Sequence, residues 1–229
     1  MATFLSAQMR LLRLINRPWS ESDVLLGVKD AINDAILLIQ RNQAFALSEA
    51  LASITYSADA LTVSLASVGG SAHQVRNVRS VQQVSASGTY QGKPLKVVSY
   101  DVLQSMRNRV DRTHSSDALA IWPIEDSYQS DKVAFIVGSA IGIYPTPTSA
   151  VYLYINYNYW LPRLVNDGET NFLLDYAGDV IELLAFKKMQ TFMKDSSLYG
   201  PTREETEIAL LALIQWDSQV RESFKYNNA

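Results

Sequence analysis

Between residues 150 and 159 the chain alternates with period two. Val151, Leu153, Ile155, Tyr157 and Tyr159 point one way, and Tyr152, Tyr154, Asn156 and Asn158 the other. A helix cannot sort consecutive residues onto two faces in this manner, so the stretch is a strand with one buried side. It is bracketed by Tyr144-Pro145-Thr146-Pro147 and Leu161-Pro162. Proline has no backbone donor and a fixed φ, which places both brackets outside the ladder. A short apolar strand (Ala140, Ile141, Ile143) leads into the first bracket. On the N-terminal side of this region helix and strand patterns mix; on its C-terminal side the chain reads as helix.

The N-terminal 3–16 segment places Leu5, Met9 and Leu12 at helical spacing, with Phe4 and Ile15 beside them, and Pro18 ends it. Ser20 caps a second helix, with Asp23 in capping-box position. There Val24, Val28, Ile32, Ala35, Ile36 and Ile39 form one stripe, and Asp30, Asn33, Asp34 and Gln40 lie off it. Such a stripe predicts a helix packed on the protein's own core.

From about residue 52 the pattern turns to strands. Ile54–Tyr56 is one candidate, and Leu61, Val63 and Leu65 alternate with Thr62 and Ser64 as another. Val68-Gly69-Gly70-Ser71 is a turn or loop. Val75, Val78, Val81 and Val84 recur every three residues, which fits neither template; β-branching favours a bulged strand. Ser87-Gly88 and Gln91-Gly92 bound a hairpin, and Leu95, Val97 and Val98 continue the sheet. A short helix over 99–112 (Val102, Met106, Val110) and a polar loop over 113–131 precede the Val133, Phe135, Val137 strand.

Residues 171–195 are predicted helical, interrupted near Gly178 with Asp179 recapping, and buried through Ile181, Leu184, Ala185 and Phe192. Thr202 caps the last helix, with Glu205 three residues on. Its apolar run from Ile208 to Ile214 covers the whole helical wheel. That predicts burial on more than one side, at the centre of a helical layer or between subunits. The fold class that emerges is α+β: a helical layer from the N- and C-terminal helices, with a mostly antiparallel β unit inserted. We expect one discontinuous domain, with a helical lobe of 1–50 and 165–229 and a β lobe of 51–164. At 229 residues the chain can bury ~70% of the surface its unfolded form exposes, enough for one good core.

The search for chemistry returns little. The chain has no cysteine and two histidines, His73 and His114, neither with another histidine at metal-ligand spacing; surface or loop positions explain them better. The Gly69-Gly70 pair lacks the lysine of a phosphate loop, and no Gly-x-Ser-x-Gly elbow occurs. Asp117, Glu125, Asp126 and Asp131 sit in a polar loop where solvation accounts for them. We therefore expect no enzyme, no cofactor and no metal. No apolar run approaches the ~20 residues of a membrane helix, and the arginine-interleaved N-terminus does not read as a secretory signal. Net charge is −3, from 20 basic and 23 acidic residues. A protein that grips DNA through its phosphates is normally basic. Arg107, Arg109 and Arg112 thus read as a solvated or inter-subunit face rather than a nucleic-acid site. Tyr152 and Tyr154, with no basic residues alternating among them, read as a protein interface rather than a base-stacking platform.

The succession Gly142-Ile-Tyr-Pro-Thr-Pro147, Val151-Tyr-Leu-Tyr-Ile-Asn-Tyr157, Leu161-Pro-Arg-Leu164 and Asn171-Phe-Leu-Leu174 resembles tailed-phage head–tail connector proteins. These include the adaptors and the tail tubular protein A type of neck protein. In layout the resemblance covers nearly the whole chain; in residues it covers about 140–195. The long polar segment 113–131 departs from the pattern. The resemblance implies a virion structural protein, made in the host cytoplasm. It would form a ring, usually dodecameric, between the portal protein and the tail or nozzle protein. The ring extends the DNA channel and offers the tail a docking surface. Twelve copies at −3 each carry −36, so DNA would pass without being held. Under this reading the candidate interface residues are Tyr152, Tyr154, Arg107, Arg109, Arg112, Trp122 and, for portal docking, Arg221, Phe224 and Tyr226. The alternatives are another tail or baseplate component, or a hydrolase with dispersed carboxylates.

Overall fold

The computed structural model describes residues 2–17, 22–70, 73–84, 91–105, 132–193 and 203–226. Its first half runs α1 (Phe4–Leu14), α2 (Ser22–Asn42), a 3-10 turn (Ala46–Ser48), β1 (Glu49–Tyr56), β2 (Val63–Ser64), α3 (Leu65–Gly69), β3 (Gln74–Val84) and β4 (Gln91–Ser99). Its second half comprises β5 (Val133–Val137), β6 (Ala140–Tyr144), β7 (Val151–Trp160), α4 (Phe172–Tyr176), α5 (Gly178–Met193) and α6 (Arg203–Tyr226). The α+β expectation holds. Helices from both ends form one unit, Met1–Ser48 with Leu161–Ala229, and Glu49–Trp160 forms a second.

The second unit is a seven-stranded sheet of order β1-β7-β3-β4-β5-β6-β2. Its pairings are antiparallel except β4 with β5. The alternating stretch is β7, paired on both sides. On its apolar face, Val151, Leu153, Ile155 and Tyr157 stand opposite Tyr56, Ile54, Ala52 and Ala50 of β1. On the other side, Val75, Val78 and Val81 of β3 stand opposite Tyr159, Tyr157 and Ile155. Three residues of β3 are therefore spent for every two of β7, and two register shifts take up the difference. The period-three valines are thus a bulged strand whose irregularity keeps Val75, Val78 and Val81 over the same core, while Val84 falls opposite Tyr152 on the other face. That core is Val81, Leu153, Ile155, Ile141, Ile143 and Tyr56, all essentially without exposure. The Tyr56 hydroxyl donates to the Ala60 and Leu61 carbonyls and accepts from the Ile143 amide. Burial pushes its pKa up, so it remains a neutral donor.

The strand expected across Leu61–Leu65 is cut short. Only Val63 and Ser64 pair, with Ile141 and Ala140. The Ser64 hydroxyl then accepts from the Ala66 amide and starts α3, while Leu61 is 76% exposed. A serine side chain that satisfies a helix's first amides outcompetes two more ladder bonds. In the helical stretch over 100–105 the buried residue is Leu103, and Val102 is exposed.

The first unit encloses its own core, in which Phe4, Leu11, Ile15, Ile32, Ile36 and Phe45 pack with Leu173, Leu174, Ile181 and Ala185. Thr3 caps α1, and the Phe4 and Leu5 amides donate to the Glu169 and Asp167 carbonyls. These bonds rotate α1 so that Phe4, Ala7, Gln8 and Leu11 face inward, leaving Met9 exposed rather than buried as its spacing suggests. On α5 the same kind of shift buries Val180, Phe186 and Met189 and exposes Phe192.

The clearest correction concerns Asn33 and Gln40, which lie off the α2 stripe by polarity yet are buried. The chain leaving β7 has backbone groups with no strand to pair them, and buried amides need partners. Asn33 supplies two: its Nδ2 donates to the Leu164 carbonyl (3.0 Å) and its Oδ1 accepts from the Leu164 amide (2.8 Å). The Gln40 Oε1 accepts from the Leu161 amide (2.6 Å). Asn33→Ala is expected to cost about 2–4 kcal/mol, because two buried backbone groups lose their partner together. Urea denaturation followed by far-UV circular dichroism measures it; an unchanged midpoint would refute this role.

Candidate interaction surfaces

Among the described residues, three surfaces stand out once the cores are accounted for. The first is the polar face of β7. Tyr152 and Tyr154 are half-buried there, flanked by Thr55 and Ser53 of β1 and by Val84 and Gln82 of β3. The neighbouring strand β3 carries two arginines. Arg79 pairs with Glu49, and Arg76 lies 4.8 Å from the centre of the Trp160 ring. Both arginines are thus engaged within the sheet, and the tyrosine face itself carries hydroxyls and flat rings. His73 stacks on Tyr159 at 4.0 Å, with its Nδ1 3.4 Å from the Tyr157 hydroxyl. Burial, and for Tyr157 also the charge of Tyr159, raises both tyrosines above the ordinary phenol value. They stay neutral hydrogen-bonding groups.

The second surface is the outward row of α6. Thr206, Leu213 and Asp217 are buried, with Leu210 and Trp216 half-buried beside them. Trp216 stacks on Tyr176 at 5.1 Å. Glu204, Ile208, Leu211, Gln215, Ser218 and Glu222 form the opposite row, all exposed. Ile208 and Leu211 are 60% and 59% exposed, so the apolar run is not enclosed within the chain. The helix is buried on one side only, because a single layer of helices offers α6 one face to pack against.

Asp217 fixes that packing. Its carboxylate is fully buried and accepts from the Ala46 amide (2.7 Å), Gln43 Nε2 (2.9 Å) and Arg221 Nε (2.9 Å). Arg221 also donates to the Ala44 carbonyl. Arg221, a candidate interface residue from the sequence, thus ties α6 to the segment after α2 through its guanidinium. Phe224 and Tyr226 lie on the last turn of α6. Arg107, Arg109, Arg112 and Trp122 fall outside the described residues, as do His114, the four loop carboxylates and the Ser20 and Thr202 caps.

The third surface is a shallow, open groove of about 590 Å³ between α2 and α5. Leu37, Leu38 and Arg41 line one wall, and Leu184, Lys187 and Lys188 the other. Lys188 pairs with Asp34 across it, and Arg163 pairs with Asp30 at its end. Sequence reasoning missed this groove. Its signal was a surplus: Leu26, Leu37 and Leu38 exceed what the single α2 stripe can absorb, and all three are exposed.

Among the described residues no group of histidines and carboxylates is arranged to hold a metal ion. No helix among them is long and apolar enough to cross a membrane. A family model described as SU10 adaptor protein matches residues 2–223. No curated protein matches the sequence.

Proposed function

Since the chain belongs to the SU10 adaptor protein family of phage structural proteins, we propose that it is a neck component of a tailed-phage virion. Copies assemble as a ring between the portal protein and the tail, extend the DNA channel and present the tail with a docking surface. Under this reading its role parallels that of the tail tubular protein A type of neck protein. The single observation that carries this reading is the family match across nearly the whole chain. The exposed leucines and isoleucine of α2 and α6 support it, since large apolar side chains in water call for a partner. The protein is not an enzyme under this reading, and DNA passes the ring without specific binding, consistent with a net charge of −3 per copy.

The tyrosine face of β7, with Arg107, Arg109, Arg112 and Trp122, is assigned to lateral and tail-side contacts. Phe224 and Tyr226 are assigned to the portal, and Arg221 to the internal support of the helix that carries them. Truncation after Glu222 keeps Arg221 and should leave the helical content unchanged while abolishing attachment to the portal. Normal attachment of that truncation would remove the C-terminal segment from portal docking.

The function itself is tested by light-scattering mass measurement of the purified protein, alone and mixed with the portal protein of the same phage. A multi-copy ring, or a monomer that multimerises only on the portal, is the expected result. A small stable dimer indifferent to the portal would overturn it.

A further inference from the structure

We propose that the outward row of α6 seats in the α2–α5 groove of a second copy of this chain, and that this is the contact that closes the ring. The inference rests on the ring reading and adds to it which surface meets which. Three properties match. The ridge of α6 presents Ile208 and Leu211, and the floor and walls of the groove present Leu37, Leu38 and Leu184. Glu204 stands at the head of the apolar ridge, and Lys187 stands on the groove wall. Glu204 and Lys187 are both exposed, and neither enters an ion pair among the described residues.

Length agrees as well. The groove spans Asp34 to Arg41 of α2 and Leu184 to Thr191 of α5, and Glu204 to Leu211 of α6 covers the same number of residues, about 10 Å of helix in each case at a rise of about 1.5 Å per residue. An amphipathic helix laid into a groove between two others is a common recognition mode, read as anchors three and four residues apart. Glu204, Ile208 and Leu211 have that spacing. The two surfaces are different patches of the same helical unit, so the contact is head-to-tail. Repeated by rotation, a head-to-tail contact generates rings rather than isolated pairs.

The absence of cysteine from the chain allows a direct test. The double variant L38C/L211C places one thiol in the groove and one on the ridge, both at exposed positions. Assembled as the ring, on portal protein if assembly requires it, and treated with a short bis-maleimide, it should give a ladder of covalent multimers in denaturing gels. Each single variant should stay monomeric. A ladder absent from assembled rings would overturn the contact while leaving the ring reading intact. Dimers from L211C alone would overturn it in favour of α6 packing on its own copy. A wild-type protein that never multimerises, with or without portal, would remove both the ring and this contact. Charge reversal supplies a second measurement. K187E and E204K should each reduce the multimeric fraction, and their combination in one chain should restore it; failure of the combination to restore it counts against the contact.

Discussion

Gly142→Ala is expected to cost the sheet unit about 3 kcal/mol or more, at the upper end of what an added core methyl group does. A Cβ at this position would overlap Cζ of Phe135 and lie 2.6 Å from the Leu61 carbonyl oxygen. Phe135 stands directly opposite Gly142 on the neighbouring strand and lays its ring over the glycine. A ring can swing away, but the carbonyl belongs to the segment that the Tyr56 hydroxyl holds. The clash is therefore with two neighbours, only one of them flexible. Urea denaturation of G142A, F135A and the double variant separates the two. The ring's share appears as the part of the G142A cost that vanishes in the F135A background, and the carbonyl's share as the part that persists there. A G142A midpoint within error of wild type would show that β5 and β6 can part without penalty, against this account.

Asp217→Ala is expected to cost the helical unit about 3–5 kcal/mol, the range seen when one partner of a buried ion pair is removed. Three donors converge on a carboxylate that water does not reach. Alanine removes the acceptor of the Ala46 amide, of Gln43 Nε2 and of Arg221 Nε at once. Asparagine should recover only part of the loss, because its amide nitrogen would face a donor where the carboxylate offered an acceptor. Arg221→Ala should cost less than either, since Asp217 keeps two of its three donors. Thermal and urea unfolding of the three variants should rank D217A as most damaging, D217N next and R221A least. If R221A proved the most damaging, the guanidinium rather than the carboxylate would be the organising group.

Much of the sheet is legible in the sequence because alternation is a local property. The apolar face of β7 needs no knowledge of its neighbours, and the period of two states which residues it comprises, although Asn158 of the other face is buried as well. The valines of β3 are half legible. Their spacing announces an irregular strand, but two register shifts acquire a reason only beside Ile155, Tyr157 and Tyr159. Asn33 and Gln40 mislead for a different cause. Polarity in a helix is ordinarily a mark of the solvent face, and the backbone groups of Leu161 and Leu164 that these amides satisfy lie more than a hundred residues away. For α6 the composition is plain and its consequence is not. An apolar run shows that a helix has much surface to bury, not whether its own chain supplies the cover.

Local pattern alone determined the alternating strand β7, the helices at both ends and the lack of an evident catalytic motif, because periodicity and residue chemistry act within a few positions. The tertiary structure decided the rest. It gave Arg221 a buried carboxylate to hold, drew two amides of α2 into the core, and left Ile208 and Leu211 facing water. Each outcome depends on which distant backbone or side chain arrives opposite, and a buried donor, acceptor or apolar surface must be matched by whatever that neighbour is.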